Sequence, residues 1–386
     1  MLANRKKVVT GYDKFFKGEP TLICSPGRIN LIGEHTDYNL GFVLPASIDK
    51  AIVLAMNPNS EGVIRLHSTD MTPEYYKTNI SDSYQKTGID WADYIIGVVD
   101  EIQKNGFNVN GFDCAFGGDV PIGAGLSSSA ALEGGVVYGL SHLFDFSLNR
   151  LDMAKITQRA ENNFVGVQCG IMDQFASLHG KHGKLIKLDT RSLDFDYVPF
   201  IWEDVKVLLC DTNIRRTLAG SEYNIRRDQC ETGVRMINKR YPQVKSLRDV
   251  TREMLLEFKD TMDDTVFARC NYVLNENQRV NNACDALINH DLKAFGDLMY
   301  QSHHGLKNNY EVSCKELDVL VDATKELGSI LGARMMGGGF GGCTINLVKA
   351  DAVDDSIEHI KQYYHRRFGA YPKFHLVSIS EGTHII

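Results

Sequence analysis

Several familiar features are missing from this sequence, and each absence narrows what the chain can do. No C-x-x-C pair occurs among its 9 cysteines, which are an odd number scattered from Cys24 to Cys343. That excludes a disulfide framework and a zinc module of the usual spacing, and reduced thiols are the simplest reading. No G-x-x-x-x-G-K-[ST] occurs, so any nucleotide would be held by something other than a P-loop. No apolar run approaches membrane-spanning length, and the opening Met1-Leu2-Ala3-Asn4-Arg5-Lys6-Lys7 leads to no apolar stretch of the signal-peptide kind. A cytoplasmic protein is expected, with no membrane partner. Positive charge is not in excess either. Lys plus Arg is 42 against 49 Asp plus Glu, a formal charge of −7. The chain therefore has no overall field for gripping nucleic acid, and basic chemistry must be local.

What is present is a chain of 386 residues, 43% apolar and 24% charged, long enough for two packed lobes and the cleft between them. Short apolar runs at 21–24, 50–55 and 62–67, punctuated by Pro, Gly and Asn, read as strands, as do alternating Phe112, Cys114 and Phe116. Leu132, Val136, Leu140 and Phe144 recur at helical spacing after a Ser-rich start able to cap a helix. A further helix is expected from Asp152 to Phe164. The second half reads as more helical, at Arg226–Tyr241, Val266–Ile288 and Ser313–Glu326. Strands are expected at Cys343–Val348 and His375–Ile379, with a helix at Ser356–Phe368 between them. A lobe boundary falls near 190–205, between strand-like Lys184–Leu188 and Val205–Leu209, giving lobes 1–195 and 196–386.

Three segments carry chemistry. The first is Ser25-Pro26-Gly27-Arg28-Ile29-Asn30-Leu31-Ile32-Gly33-Glu34-His35-Thr36-Asp37-Tyr38-Asn39. Its Gly and Pro argue for a broken, loop-like segment rather than one continuous element. Carboxylates and an imidazole crowded there are the groups that hold sugar hydroxyls by directional hydrogen bonds, and the fixed cation of Arg28 suits a transferring phosphoryl group. A solvated turn with incidental charges fits the same spacing. The second is Pro121-Ile122-Gly123-Ala124-Gly125-Leu126-Ser127-Ser128-Ser129-Ala130-Ala131. Bare glycines let backbone N–H groups approach phosphate oxygens, and the helix start adds positive potential. A plain capped helix would need only one such Ser. The third is Gly332-Ala333-Arg334-Met335-Met336-Gly337-Gly338-Gly339-Phe340-Gly341-Gly342-Cys343. It contains G-x-G-x-x-G, yet a helix is expected upstream and a strand after it. That reverses the dinucleotide-binding context, so a nicotinamide or flavin reading is rejected. A flexible loop lying against the other two segments is expected.

Together these segments resemble the three signatures of the GHMP kinases, and the first is similar to the galactokinase-family signature. Trp91-Ala92-Asp93-Tyr94, Cys169-Gly170-Ile171-Met172-Asp173-Gln174 and the stretch around Tyr223 match further family positions. The resemblance implies two α+β lobes, the first like ribosomal protein S5 domain 2 and the second ferredoxin-like, with the active site between them. It implies phosphorylation of galactose at its anomeric hydroxyl with ATP and Mg²⁺. An N-acetylgalactosamine kinase, or a non-catalytic sensor of galactose and ATP, would share the fold. By the same resemblance Asp173 is the proton acceptor and Arg28 the group that favours the transition state. Glu34, His35, Thr36, Asp37, Gly170 and Tyr223 are the sugar ligands. Gly123, Ala124, Gly125, Leu126, Ser127, Ser128 and Ser129 form the triphosphate loop, Ser68, Trp91 and Tyr94 face the nucleotide, and Ser129 and Glu161 hold Mg²⁺. Core packing accounts equally for Trp91 and Tyr94. A monomer is expected. Two positions depart from the family: Met336 where many members have Thr, and Gln168 where some have Pro.

Overall fold

The computed structural model describes residues 2–121, 123–214 and 219–386; Ile122 of the second segment lies outside the described residues. The first half runs α1 (Leu2–Phe15), β1 (Thr21–Asn30), β2 (Phe42–Val43), β3 (Pro45–Pro58), β4 (Val63–Ser68), β5 (Tyr75–Asn79), α2 (Asp90–Lys104) and β6 (Phe112–Gly118). It continues through α3 (Ser128–Leu143), α4 (Arg150–Arg159), a π-helical turn at Ala160–Val165, α5 (Met172–His179), β7 (Lys184–Asp189) and β8 (Phe195–Pro199). The second half runs β9 (Val205–Asp211), α6 (Ala219–Asn238), α7 (Arg252–Leu256), α8 (Asp264–Ile288), α9 (Leu292–Asn308) and α10 (Lys315–Lys325). It ends with β10 (Ile330–Met335), β11 (Cys343–Lys349), α11 (Val353–Phe368), β12 (Lys373–Val377) and β13 (His384–Ile385).

The strands form a six-stranded sheet in the order β13-β1-β3-β6-β4-β5, a four-stranded sheet β10-β11-β9-β12 and a small sheet β2-β7-β8. In the four-stranded sheet helices separate β9 from β10 and β11 from β12. Its strands pair antiparallel throughout, which is the ferredoxin-like arrangement. Both faces of the six-stranded sheet are covered, so β3 is buried along most of its length. Val8, Tyr12 and Phe16, from α1 and the residue just after it, pack on Val53, Ala55 and Ala115 on one face. On the other face α3 lies flat against β3. A Cβ at Gly135 would stand 2.3 Å from Leu54 and one at Gly139 2.5 Å from Met56, so glycine at i and i+4 permits the approach. This contact aims the N-terminus of α3 at the first segment.

The largest apolar core does not stop at the expected lobe boundary. It joins Leu54 and Phe116 of the six-stranded sheet to Val207, Leu209 and Ile345 of the four-stranded sheet. At the far end β13 returns to pair with β1. Two local readings need correcting. Pro26 and Gly27 do not end β1; the strand carries on through a register shift between Pro26 and Arg28, so Arg28 sits on a strand. The glycine run of the third segment follows strand β10, which takes in the segment's own first four residues and stands between that run and the upstream helix α10, and the run makes the antiparallel β10–β11 turn. No helix follows it, so the rejection of a dinucleotide fold stands.

Candidate active site

Arg28 supplies the first fixed point of the site. The register shift in β1 turns its guanidinium inward, where 4% of the residue is exposed. Nε and Nη2 donate to Oδ1 and Oδ2 of Asp173, each at 2.7 Å, the paired geometry that fixes a carboxylate in one orientation. Nη1 donates to the Gly125 carbonyl and ties the same side chain to the second segment. Asp173 stands in the first turn of α5. It also accepts from the Ser127 hydroxyl. The expected helix cap is therefore absent: Ser127 sits at the start of α3 with φ 55° and no side-chain capping bond, its hydroxyl taken by Asp173.

The first segment presents three polar side chains beside this pair. Glu34 Oε1 accepts from Arg334 Nη2 at 3.0 Å and from the Gly337 N–H at 2.8 Å. Arg334 itself is completely buried on β10 and also donates to the Leu31 carbonyl at 2.7 Å, so the third segment holds the first in place. His35 adopts φ 61°, and its Nδ1 lies 2.8 Å from the Tyr38 hydroxyl, which bonds Tyr310 at 2.8 Å. Burial, helped by the charge of Arg226, pushes its imidazole down to about 3, so it is neutral near pH 7. Asp37 opens a 3₁₀ turn, Asp37–Asn39. Gly170 leaves room for its carboxylate, because a Cβ there would stand 1.8 Å from Asp37 Oδ2.

These groups line one cavity of about 240 Å³, which takes in Arg28, Glu34, His35, Asp37, Glu161, Gly170, Asp173, Tyr223, Gly337 and Gly338. Carboxylates outnumber cations there, and the excess shows in protonation. Burial, then the charge of Asp173, raises both Asp37 and Glu161 to about 7. For Asp37 this has a testable consequence. The unfolded carboxyl ionises near 3.8 and the folded one near 7. Stability is thus lost as the pH climbs from about 4 to about 7 and stays lost above that window. Asp37→Asn, which does not titrate, should melt higher than the parent chain without ligand, by a margin that grows from pH 5 to pH 8. A margin independent of pH contradicts this assignment.

The remaining expected residues sit elsewhere. Thr36 is buried and donates to the Gly33 and Phe42 carbonyls at 2.9 and 2.6 Å, which shapes the loop from behind. Ser68 accepts from the backbone of Asp70 and Met71 and closes a turn after β4. Trp91 Nε1 donates to the Pro73 carbonyl and the indole packs on Phe116. Tyr94 packs partly buried against the main core. Gly123, Gly125 and Ser127 take positive φ values of 70°, 79° and 55°, so the Gly123–Ser129 loop, with Ala124, Leu126 and Ser128, folds tightly over the start of α3. The Ser129 hydroxyl points to Glu161 Oε1 at 3.4 Å, while Gln174 Nε2 holds Glu161 Oε2 at 2.6 Å. Glu161 stands on the π-helical turn that replaces the end of the expected Asp152–Phe164 helix. The sequence reading gave no role to Arg334, Gly337 or Gly338. A lone Arg in a glycine-rich stretch was the available signal.

The chain matches models for the galactokinase galactose-binding signature at residues 10–58, the GHMP kinase N-terminal domain at 93–181 and the GHMP kinase C-terminal domain at 283–366. It is 42% identical to a galactokinase of Thermosipho africanus over 366 residues, covering 94% of this chain and 98% of that one. It is 40% identical to a galactokinase of Clostridium beijerinckii, covering 96% and 95%. The structure superposes on Lactococcus lactis galactokinase complexed with galactose with a TM-score of 0.95 and 33% identity, covering 99% of both chains. Mevalonate kinase of Methanococcus jannaschii, at 17% identity and TM-score 0.65, shares the fold.

Proposed function

The chain belongs to the galactokinase family of GHMP kinases, and from that premise we propose that it transfers the γ-phosphoryl group of ATP to the anomeric hydroxyl of α-D-galactose, giving galactose 1-phosphate and ADP. The observation that carries this reading is the convergence of Glu34, His35, Asp37 and Tyr223 with the Arg28–Asp173 pair on one cavity. The first four bind the sugar hydroxyls, with Gly170 contributing backbone, and Thr36 shapes their loop. Asp173 orients the anomeric hydroxyl and takes its proton as that oxygen bonds to the γ-phosphorus and ADP departs. Arg28, fixed by its two bonds to Asp173, lies ready to offset charge on the transferring group.

The triphosphate lies along Gly123–Ser129, whose backbone N–H groups and helix start favour anions. Ser68, Trp91 and Tyr94 belong to the nucleotide side in this reading. The residues present fit Mg²⁺. Ser129 and Glu161 are oxygen ligands side by side, and Mg²⁺ is commonly held by one or two protein oxygens together with phosphates and water. A divalent cation would also offset the excess of carboxylate. When bound, it neutralises phosphate charge. The same reading divides the chain at 195 and 196 into two lobes and treats the protein as a cytoplasmic monomer. No helix among the described residues is long and apolar enough to cross a membrane.

Coupled detection of ADP across a panel of hexoses tests the substrate. Turnover on galactose with little on glucose is expected, because a site built to bond the C4 hydroxyl leaves a buried polar group unpaired with the wrong epimer. Preference for N-acetylgalactosamine, or binding without turnover, would contradict it.

A further inference from the structure

The turn between β10 and β11 contains a run of glycines, and the protein itself accounts for all but one of them. Gly337, Gly339 and Gly342 have φ values of 80°, 84° and 80°, a backbone region that side chains disfavour. A Cβ at Gly339 would in addition stand 2.1 Å from the Val312 carbonyl oxygen, and one at Gly341, where φ is 145°, 2.7 Å from that of Ile214. Gly338 differs. Its φ is outside the positive region, and among the described residues a Cβ would meet one neighbour within 4 Å, Tyr223 Cδ2 at 3.8 Å, an ordinary contact. Alanine fits there without strain, and would narrow the freedom of the unfolded chain and so stabilise the fold. Neither the backbone conformation nor the packing of the described residues requires glycine at this position.

The bare position faces the site. Gly338 lines the same cavity as Glu34, His35, Asp37 and Tyr223. We propose that Gly338 sets the width of the sugar pocket: one of the substrate's hydroxyls occupies the space beside Tyr223 that a side chain at 338 would fill. The inference rests on the galactose reading above and adds a residue that determines which sugars enter.

Gly338→Ala and Gly338→Val test it by melting temperature, kinetics and calorimetry. Gly338→Ala should melt at or above the parent temperature, yet its KM for galactose should rise by at least about tenfold, and further in Gly338→Val. The KM for ATP should stay within about twofold, since the added methyl faces the sugar groups. A series of monodeoxygalactoses gives a readout that general damage would not produce. One of them, lacking the hydroxyl nearest residue 338, should lose less on substitution than galactose does. An unchanged galactose KM in Gly338→Ala overturns the proposal, as does a parallel rise for ATP or an equal loss across all deoxy sugars. A parent protein that neither binds nor phosphorylates galactose would overturn the substrate reading instead, which calorimetry on the parent alone decides.

Discussion

Asp173→Asn is expected to lower turnover by roughly 10²–10⁴-fold, the usual cost of removing a general base, while the protein stays folded. The substitution keeps the size of the side chain and one acceptor for Arg28, but its amide can neither take the proton of the sugar hydroxyl nor carry charge. One new amide N–H would face an Arg28 N–H where two bonds of 2.7 Å now stand, so some loss of stability accompanies the change. Rates are therefore compared at matched folded fraction, with galactose binding measured separately. Lost turnover with retained binding is the expected pattern. Near-normal turnover in the folded variant would remove Asp173 from the chemistry.

Arg334→Met should have the largest effect on stability. This side chain is wholly buried, and it donates to the Leu31 and Met335 carbonyls at 2.7 and 2.8 Å, to the Asn30 carbonyl and to Glu34 at 3.0 Å. Removing it leaves two carbonyls at the end of β1 short of a donor and a buried carboxylate short of its countercharge. Breaking such a pair costs about 3–5 kcal/mol, far more than a surface ion pair. Adding Glu34→Gln should recover part of the loss, because the uncompensated charge is then gone. Denaturant unfolding of the parent, both single variants and the double variant checks this. A loss under about 1 kcal/mol in Arg334→Met, within the range of a surface pair, would contradict the clamp between the third segment and the first.

Those two side chains show where sequence reasoning reaches and where it stops. Glu34, His35 and Asp37 stood out as polar groups crowded on a Gly-broken stretch, but a solvated turn fits that spacing as well, and it was the resemblance to the family signature that assigned them to a sugar. The helix from Ser128 was legible from local periodicity. Strand β10 was not: Gly332 and Arg334 make Ile330–Met335 look like loop. In the fold Gly332 is pressed against Gly296, where its Cβ would stand 2.5 Å from Gly296 Cα, and Arg334 finds its partners on β1 and in Glu34. Ser127 misled for the same reason. Its local environment suggests a cap, but the partner that wins is Asp173, 46 residues further along. Pro26 and Gly27 read as a break, while pairing with β3 on both sides of the register shift keeps the strand intact. In each case a contact distant in sequence overrode a local preference. The meaning of Gly338 likewise depends on neighbours that only the fold supplies.

The central claim is that the Arg28–Asp173 pair faces the anomeric hydroxyl of galactose while ATP supplies the phosphoryl group. Phosphorus NMR of the reaction mixture tests it most directly, because the splitting of the new phosphomonoester signal reports which sugar carbon bears the phosphate. With ATP, Mg²⁺ and galactose, the account predicts loss of the γ-phosphate signal and a phosphomonoester coupled to the anomeric proton. A phosphate coupled to the C6 protons, or ATP left unconsumed by folded protein, would contradict it.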